Sequence, residues 1–165
     1  MKIVGVLLAA GSASRFGSDK LRHLLPHGVV IAVQAARHLK AGVPRIVAVV
    51  RPGVDETARA LAAEDCEIVV CENASEGMGA SLACAVRASC NADGYIVALA
   101  DMPFVRPTSI AAVRDALVGG APLAAPYFRA RLGHPVGIAA RFRAELEALT
   151  GDEGARMLLA AHEAE

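Results

Sequence analysis

Strand-like apolar runs alternate with helix-like stretches along this 165-residue chain, and this alternation constrains the fold more than any other feature. The strand-like runs are Lys2–Leu8, Arg45–Val50, Glu67–Cys71, Gly94–Ala100, Pro122–Ala125 and Pro135–Ala139. The helix-like stretches are Val29–Ala41, Val54–Glu64, Ala80–Ala88, Pro107–Val118, Arg141–Leu149 and Glu153–His162. Such alternation is typical of a doubly wound sheet. We therefore predict one three-layer α/β domain over residues 1–165, with a mostly parallel sheet and ligands at the carboxyl ends of its strands.

Composition narrows the class of protein. The hydrophobic fraction of 55% and the mean hydropathy of +0.42 favour strands that are buried on both faces. Charged residues interrupt every apolar run before the roughly 20 residues that a membrane span needs, and we expect a cytoplasmic protein. The 17 basic and 17 acidic residues give no net charge, which argues against nucleic-acid or membrane partners. The four cysteines form no CxxC pair, so we expect no zinc site.

A loop rich in glycine and serine follows the first strand and reads LAAGSASRFGSDK over residues 8–20. Small residues let backbone N–H groups approach a phosphate closely. Arg15 and Lys20 stand where phosphate charge would need neutralising, with arginine suited to bidentate contact and lysine to a movable point charge. The loop matches neither the Walker A pattern nor the GxGxxG fingerprint. From spacing alone, an ordinary turn between strand and helix remains the alternative.

An aspartate, Asp101, ends the fourth strand-like run in the sequence ALADMP over residues 98–103. A carboxylate at the carboxyl edge of a parallel sheet is well placed for Mg²⁺, which takes one or two carboxylates plus phosphate oxygens. The alternative is a turn or helix-capping role for Asp101 ahead of the helix that begins at Pro107.

A third polar segment, NASEGMGASL over residues 73–82, leads into a helix. The small residues Gly77 and Ser81 near that helix N-terminus favour a site for an anion or polar ligand. A loop and helix cap without any ligand is equally compatible with the local pattern.

Two further motifs lie near the C-terminus, GHPV over residues 133–136 and GDEGAR over residues 151–156. A single histidine before proline, such as His134, is more often a hydrogen-bonded structural residue than a catalyst. Asp152 is equally suited to capping the last helix.

In this order the motifs resemble those of the molybdopterin nucleotidyltransferases, within the wider family that activates sugars and alcohols as nucleoside diphosphates. The resemblance covers residue 2 to about residue 162 and implies a Rossmann-like fold of the nucleotide-diphospho-sugar transferase type. It departs in two places: no proline follows Gly28, and Leu132 precedes Gly133 where the family usually has arginine. The first departure concerns the entry to the next helix, and the second concerns the acceptor pocket.

The resemblance also implies roles for individual residues. Those implied to bind the nucleotide are Leu8, Ala9, Ala10, Gly11, Ser12, Asn73, Gly77 and Ser81. Those implied in catalysis are Arg15, Lys20 and Asp101, with Asp101 and Asp152 as ligands of Mg²⁺. Those implied to contact the acceptor are Met78, Gly133 and His134.

The activity that the resemblance implies is transfer of a nucleoside monophosphate from an NTP to molybdopterin, with release of pyrophosphate. CTP is the first choice and GTP the second, because the guanylyl branch typically has glycine where this chain has Ala10. An alanine methyl there would favour the smaller pyrimidine. The alternatives are a guanylyl or sugar/alcohol-phosphate nucleotidyltransferase, and a non-enzymatic nucleotide- or pterin-binding accessory protein that helps molybdenum hydroxylases mature.

Overall fold

Strands and helices alternate in the computed structural model, which describes residues 1–11, 20–129, 131–152 and 154–162. The strands are β1 Ile3–Leu8, β2 Arg45–Val50, β3 Glu67–Val70, β4 Gly94–Leu99, β5 Leu123–Ala124, β6 Tyr127–Phe128, β7 Arg131–Leu132 and β8 Val136–Ala139. The helices are α1 Ile31–Gly42, α2 Asp55–Ala62, α3 Met78–Ala88, α4 Pro107–Val118, α5 Arg143–Glu147 and α6 Ala155–Ala161. Short 3₁₀ turns lie at Lys20–Arg22, Ala74–Glu76 and Ala140–Phe142.

Six of these strands form one sheet in the order β3-β2-β1-β4-β8-β5. The first four are parallel, and β1 pairs with both of its neighbours along nearly its whole length. Strand β8 runs antiparallel to β4 and to β5. The prediction of a mostly parallel α/β sheet is confirmed, and the carboxyl ends of β1 to β4 meet at one edge.

Both faces of the sheet are covered by helices, as the high hydropathy predicts. All six residues of β1 are buried. Alternate β1 side chains, such as Val4 and Val6, pack with residues of α3, α5 and α6. The intervening residues Ile3 and Leu7 pack with residues of α1, α2 and α4. Because side chains alternate across a strand, a strand buried on both faces must be apolar throughout.

The C-terminal part of the sheet departs from simple strand–helix alternation. Residues 125–135 join β5 to β8 and carry the β6–β7 hairpin instead of a helix. For β8 to run parallel to β5, the connection between them would have to be a crossover of about a dozen residues or more, which is usually helical. The short helix-free connection therefore makes β8 antiparallel, a direction that the apolar pattern of the strand does not encode.

The helices are short relative to a lipid bilayer. The longest described ones, α1 and α4, have 12 residues each, whereas a membrane span needs about 20. No described helix is therefore long and apolar enough to cross a membrane.

Candidate active site

A cleft of about 650 Å³ opens at the edge where the parallel strands end. Residues at or within three positions of the carboxyl ends of β1, β2, β3 and β4 line it, together with the start of the 3₁₀ turn Lys20–Arg22, the segment that leads into α3 and the loop before α6. Crevices at the carboxyl ends of strands are the usual ligand sites of open α/β sheets.

The loop after β1 supplies one wall. Its lining residues are Leu8, Ala10, Gly11 and Lys20. Ala9 is buried and packs on the side of α1, and its N–H donates to the carbonyl of Val49 over 2.8 Å. That N–H group is therefore already engaged. Ala10 is also buried and packs on the side of α3, but it and Gly11 are among the residues that line the cleft. The predicted residues Ser12 and Arg15 lie outside the described residues.

Lys20 and Asp101, which are far apart in the sequence, meet in this cleft. The distance from Lys20 Nζ to Asp101 Oδ2 is 3.5 Å. The two side chains are 44% and 46% exposed, so water screens the pair and its contribution to stability is at most about 1 kcal/mol. Both groups can therefore exchange this weak contact for a ligand at little cost.

Backbone hydrogen bonds fix the turn that carries Asp101. The N–H of Ala100 donates to the carbonyl of Leu8 over 3.0 Å, which extends the β1–β4 ladder by one step. The N–H of Met102 donates to the carbonyl of Leu99 over 3.1 Å and closes the turn. Asp101 therefore projects from backbone that is tied directly to β1.

A chain of side-chain hydrogen bonds ties the far end of the same segment to α1. The amide nitrogen of Gln34 lies 2.7 Å from Nε2 of His38, and Nδ1 of His38 lies 2.9 Å from the carbonyl oxygen of Val105. In this arrangement the Gln34 amide donates to Nε2 of His38, and Nδ1 donates to the Val105 carbonyl. On the other side, Nε2 of His27 donates to the amide oxygen of Gln34 over 2.9 Å.

Close backbone contact joins the segment before α3 to the loop before α6. Gly77 has φ +130°, and a Cβ built there would lie 2.3 Å from the carbonyl of Gly151. The N–H of Gly79 donates to the same carbonyl over 2.8 Å. This contact brings Asp152 to the cleft beside Gly77, and the first turn of α3 contributes Met78 and Ser81 to the lining.

Asn73 lies outside the described lining of the cleft. Its side-chain oxygen accepts from the thiol of Cys71 over 3.2 Å, and its amide nitrogen donates to Glu76 over 3.2 Å. The side chain therefore braces the turn after β3.

Gly133 and His134, the predicted acceptor residues, are likewise absent from the described lining. The N–H of Gly133 donates to the carbonyl of Pro126 over 2.8 Å at the base of the β6–β7 hairpin. His134 is half-buried and lies between that hairpin and β8 in the chain. The GHPV motif therefore begins at the base of the β6–β7 hairpin in this structure.

Two charged lining residues, Arg51 and Glu72, belong to none of the sequence motifs. Arg51 directly follows β2, and Glu72 lies just beyond β3. Sequence reasoning could have found these two residues from their positions at the ends of parallel strands, because those strands end at the same edge of the sheet as Asp101. Arg51 is partly buried and makes no hydrogen bond or ion pair with any described residue.

The charges that line the described part of the cleft are mixed. Two cations, Lys20 and Arg51, face three carboxylates, Glu72, Asp101 and Asp152. A polyanion would therefore need further positive charge to bind here. The described residues contain no group of three or more histidine, cysteine or acidic side chains that could hold a metal ion by themselves.

The thiol of Cys71, at the end of β3, is chemically inert near neutral pH. Burial, followed by the neighbouring Cys84 thiol, raises the pKa of Cys71 to about 11. Only the thiolate is nucleophilic, so Cys71 is not equipped to attack a bound ligand. The chemistry available beside this strand is that of carboxylates and cations.

Comparison with known proteins identifies a family to which these features belong. The family model of the MobA-like NTP transferase domain matches residues 5–165. The chain is 31% identical to nicotine blue oxidoreductase of Paenarthrobacter nicotinovorans, over 95% of this chain and 81% of that protein. It is 29% identical to purine catabolism protein PucB of Bacillus subtilis (strain 168), over 95% and 80% respectively.

Solved structures agree on the fold. Rv0371c from Mycobacterium tuberculosis H37Rv aligns with a TM-score of 0.81 and 28% identity, covering 97% of this chain and 82% of that one. A structure of Rv0371C in complex with manganese aligns with the same TM-score at 22% identity, covering 97% and 83%. The second likeness, at this identity, concerns the fold alone.

The contact between the two loops predicts a cost for a side chain at Gly77. We expect Gly77→Ala to lower the free energy of unfolding by about 2–5 kcal/mol, because backbone strain and steric conflict with Gly151 act together. Gly53→Ala is the matched control, since Gly53 also has positive φ, +80°, but a Cβ at this position would have nothing within 4 Å. Urea unfolding measures both. Equal losses in the two variants would show that the loops do not pack as described.

Proposed function

The chain belongs to the MobA-like NTP transferase domain family, whose family model matches residues 5–165, and on that basis we propose that it is a nucleotidyltransferase that transfers CMP from CTP. The observation that carries this proposal is the meeting of Lys20 and Asp101, 3.5 Å apart, in a cleft at the carboxyl edge of the sheet. A cation and a carboxylate on one open surface suit a metal-bound triphosphate. We also propose that residues 1–165 act as one NTP transferase domain.

The proposed reaction is a single displacement at phosphorus. A terminal phosphate oxygen of the acceptor forms a bond to the α-phosphorus of the nucleotide. The bond from that phosphorus to the oxygen bridging the α- and β-phosphates breaks, and pyrophosphate leaves with the electron pair. A phosphate nucleophile is already ionised near neutral pH, so no strong general base is required. Catalysis then depends on positioning and on neutralising charge.

Lys20 would stabilise the negative charge that builds on the departing pyrophosphate. Its ammonium is half exposed and held only by the weak contact with Asp101 among the described residues, so it can move onto a phosphate. Arg15, by the family resemblance, would share this role. Preorganised cations at a developing charge are among the largest contributions to catalysis.

Asp101 and Asp152 fit a divalent cation that is shared with the nucleotide. Mg²⁺ takes oxygen ligands, uses one or two carboxylates, and completes its shell with phosphate oxygens and water. Carboxylates outnumber cations in the described lining, so a bound triphosphate needs added positive charge. When bound, the ion supplies charge neutralisation at the α-phosphate. Rv0371c, to which this chain is 28% identical, has a solved complex with manganese, which supports a divalent cation; we propose Mg²⁺ for this chain.

The nucleotide would lie with its base and ribose toward Ala10, Gly11, Gly77 and Ser81, which share one cleft. Ala10 is among the residues that line this end, and we infer that its methyl group narrows the site relative to glycine. That constriction supports CTP over GTP as the preferred nucleotide.

We propose molybdopterin, through its terminal phosphate, as the acceptor. The motifs in the chain support this choice, and the cleft leaves Met78, which is 40% exposed, to meet an organic group. Other phosphorylated sugars or alcohols use the same chemistry. An assay of each acceptor with CTP and Mg²⁺ separates them by pyrophosphate release.

A second candidate activity is redox chemistry, carried by the 31% identity to a protein named as an oxidoreductase. It predicts consumption of NADH or NADPH, followed by absorbance at about 340 nm, in the absence of any NTP. Pyrophosphate release without such consumption would decide for transfer.

Removing the Asp101 carboxylate should abolish transfer. We expect Asp101→Asn to reduce pyrophosphate release from CTP by at least about 100-fold, because the divalent cation loses a ligand and the transition state loses charge stabilisation. Asp115→Asn is the control, since Asp115 lies on α4 and its carboxylate contacts the neighbouring Arg114, away from the cleft. Melting temperatures show whether both variants fold. Unchanged release in Asp101→Asn would exclude the metal role.

Truncating Lys20 should slow the chemical step. We expect Lys20→Ala to lower kcat by about 100-fold, since one preorganised cation is lost from the leaving group. KM for CTP should change less. Lys2→Ala removes an exposed lysine far from the cleft and should leave both constants unchanged. A parental kcat for Lys20→Ala at saturating CTP would remove Lys20 from the mechanism.

The base preference should depend on Ala10. We expect CTP with Mg²⁺ to raise the melting temperature more than GTP, because a ligand that binds only the folded state stabilises it. In Ala10→Gly the difference between the two nucleotides should shrink, since the constriction is removed. A larger shift with GTP in the parent protein would show that Ala10 does not set the preference.

A further inference from the structure

A second hollow, of about 380 Å³, lies beside the cleft at the turn between β2 and α2. Its charged lining residues are Arg22, Arg51, Arg59, Asp55 and Glu56. Three arginines thus line one concave surface in a chain that has no net charge.

Two of these arginines lack a charge partner in the part of the chain that the structure describes. Arg22 forms an ion pair with Glu56. Arg51 and Arg59, by contrast, make no hydrogen bond or ion pair with any described residue. Of the two lining carboxylates, Glu56 is paired with Arg22, so Asp55 is the lining group left to neutralise Arg51 and Arg59. The lining of the hollow therefore keeps an excess of positive charge. Guanidinium groups that line the same hollow repel each other, and an anion bound between them would relieve that repulsion.

The hollow and the cleft are adjacent and are linked through two features of the chain. Arg51 lines both. The 3₁₀ turn Lys20–Arg22 places Lys20 in the cleft and Arg22 in the hollow. A phosphate group that leaves Lys20 would therefore meet further guanidinium groups at the next position along the surface.

The chemistry of the lining indicates the ligand class. Planar guanidinium groups bind phosphate oxygens in a bidentate manner. The first-turn N–H groups of α2, beside which these arginines lie, have no partners within the helix and favour an anion, although Asp55 partly opposes them. A group with several anionic oxygens matches this lining better than an uncharged base or sugar does.

We propose that this hollow is a subsite for a diphosphate group. The inference rests on the proposed nucleotidyl transfer, which releases pyrophosphate at Lys20. The diphosphate has two sources with the same chemistry, namely free pyrophosphate after transfer and the β- and γ-phosphates of the bound nucleotide. In both cases Arg59 contacts the ligand from outside the cleft.

Arg59→Gln tests the subsite without touching the cleft lining. Titration calorimetry with inorganic pyrophosphate should show a Kd about tenfold higher than in the parent, as expected when one charge-assisted contact is lost. Arg59→Lys keeps the charge and should recover part of the affinity. Arg37→Gln is the matched control, because it removes one positive charge at an exposed ion pair between α1 and Glu64.

The titration is repeated with CTP and Mg²⁺ to distinguish the two sources. A loss of affinity in Arg59→Gln for pyrophosphate alone assigns the subsite to the leaving group. An equal loss for CTP assigns it to the triphosphate of the substrate. Unchanged affinity for both ligands overturns the proposal, as does an equal loss in Arg37→Gln.

These titrations measure binding without turnover, so their outcome does not depend on whether the protein catalyses nucleotidyl transfer. A parent protein that binds pyrophosphate through Arg59 but releases none from any NTP would refute the proposed function and retain the subsite. A parent that turns over normally, with a parental Kd in Arg59→Gln, would refute the subsite and retain the function.

Discussion

The pairing of β1 with β2 on one side and β4 on the other is the constraint on which the site depends. These parallel ladders bring the ends of β1, β2 and β4 to one edge, and the bond from Ala100 to Leu8 continues the pairing beyond β4. The pairing of β1 with β4 therefore places Asp101 next to the loop after Leu8. Since β1 is buried on both faces, the helices that cover it also hold this edge in place. Packing and site geometry therefore have the same cause.

Within that frame, the charged groups of the cleft are held loosely. The Lys20–Asp101 contact is half exposed and contributes at most about 1 kcal/mol, so its energy does not resist a ligand. The backbone beneath it is held more firmly, through the turn at Asp101 and the hydrogen bond from His38 to Val105. Fixed backbone with exchangeable side-chain partners is the arrangement that charge-based catalysis needs, because positioning is retained while the ion pair is replaced.

The opposite wall depends on contact between two loops that are distant in the chain. Gly77 and Gly79 meet the carbonyl of Gly151 at distances that no larger residue at position 77 would allow. This contact sets the place of Asp152, the second carboxylate proposed to bind the metal ion. On the far side, Arg51 links the cleft to the arginine-lined hollow. The proposed path of the diphosphate thus follows from where β2 ends rather than from any motif.

The α/β class, the order of the main strands and helices, and the chemistry of the groups that follow β1 and β4 could be predicted from the amino-acid sequence, whereas the β6–β7 hairpin could not. Apolar runs and polar strand ends are local properties, so Lys20 and Asp101 could be singled out from them. The direction of β8 needed the folded chain, because a short connection sets it. So did the distinction between Ala10, which lines the cleft, and Ala9, which packs beneath α1. The same holds for Arg51 and Glu72. They line the cleft because neighbouring parallel strands end at the same edge of the sheet. That relation joins separate segments of the chain, so no single segment encodes it.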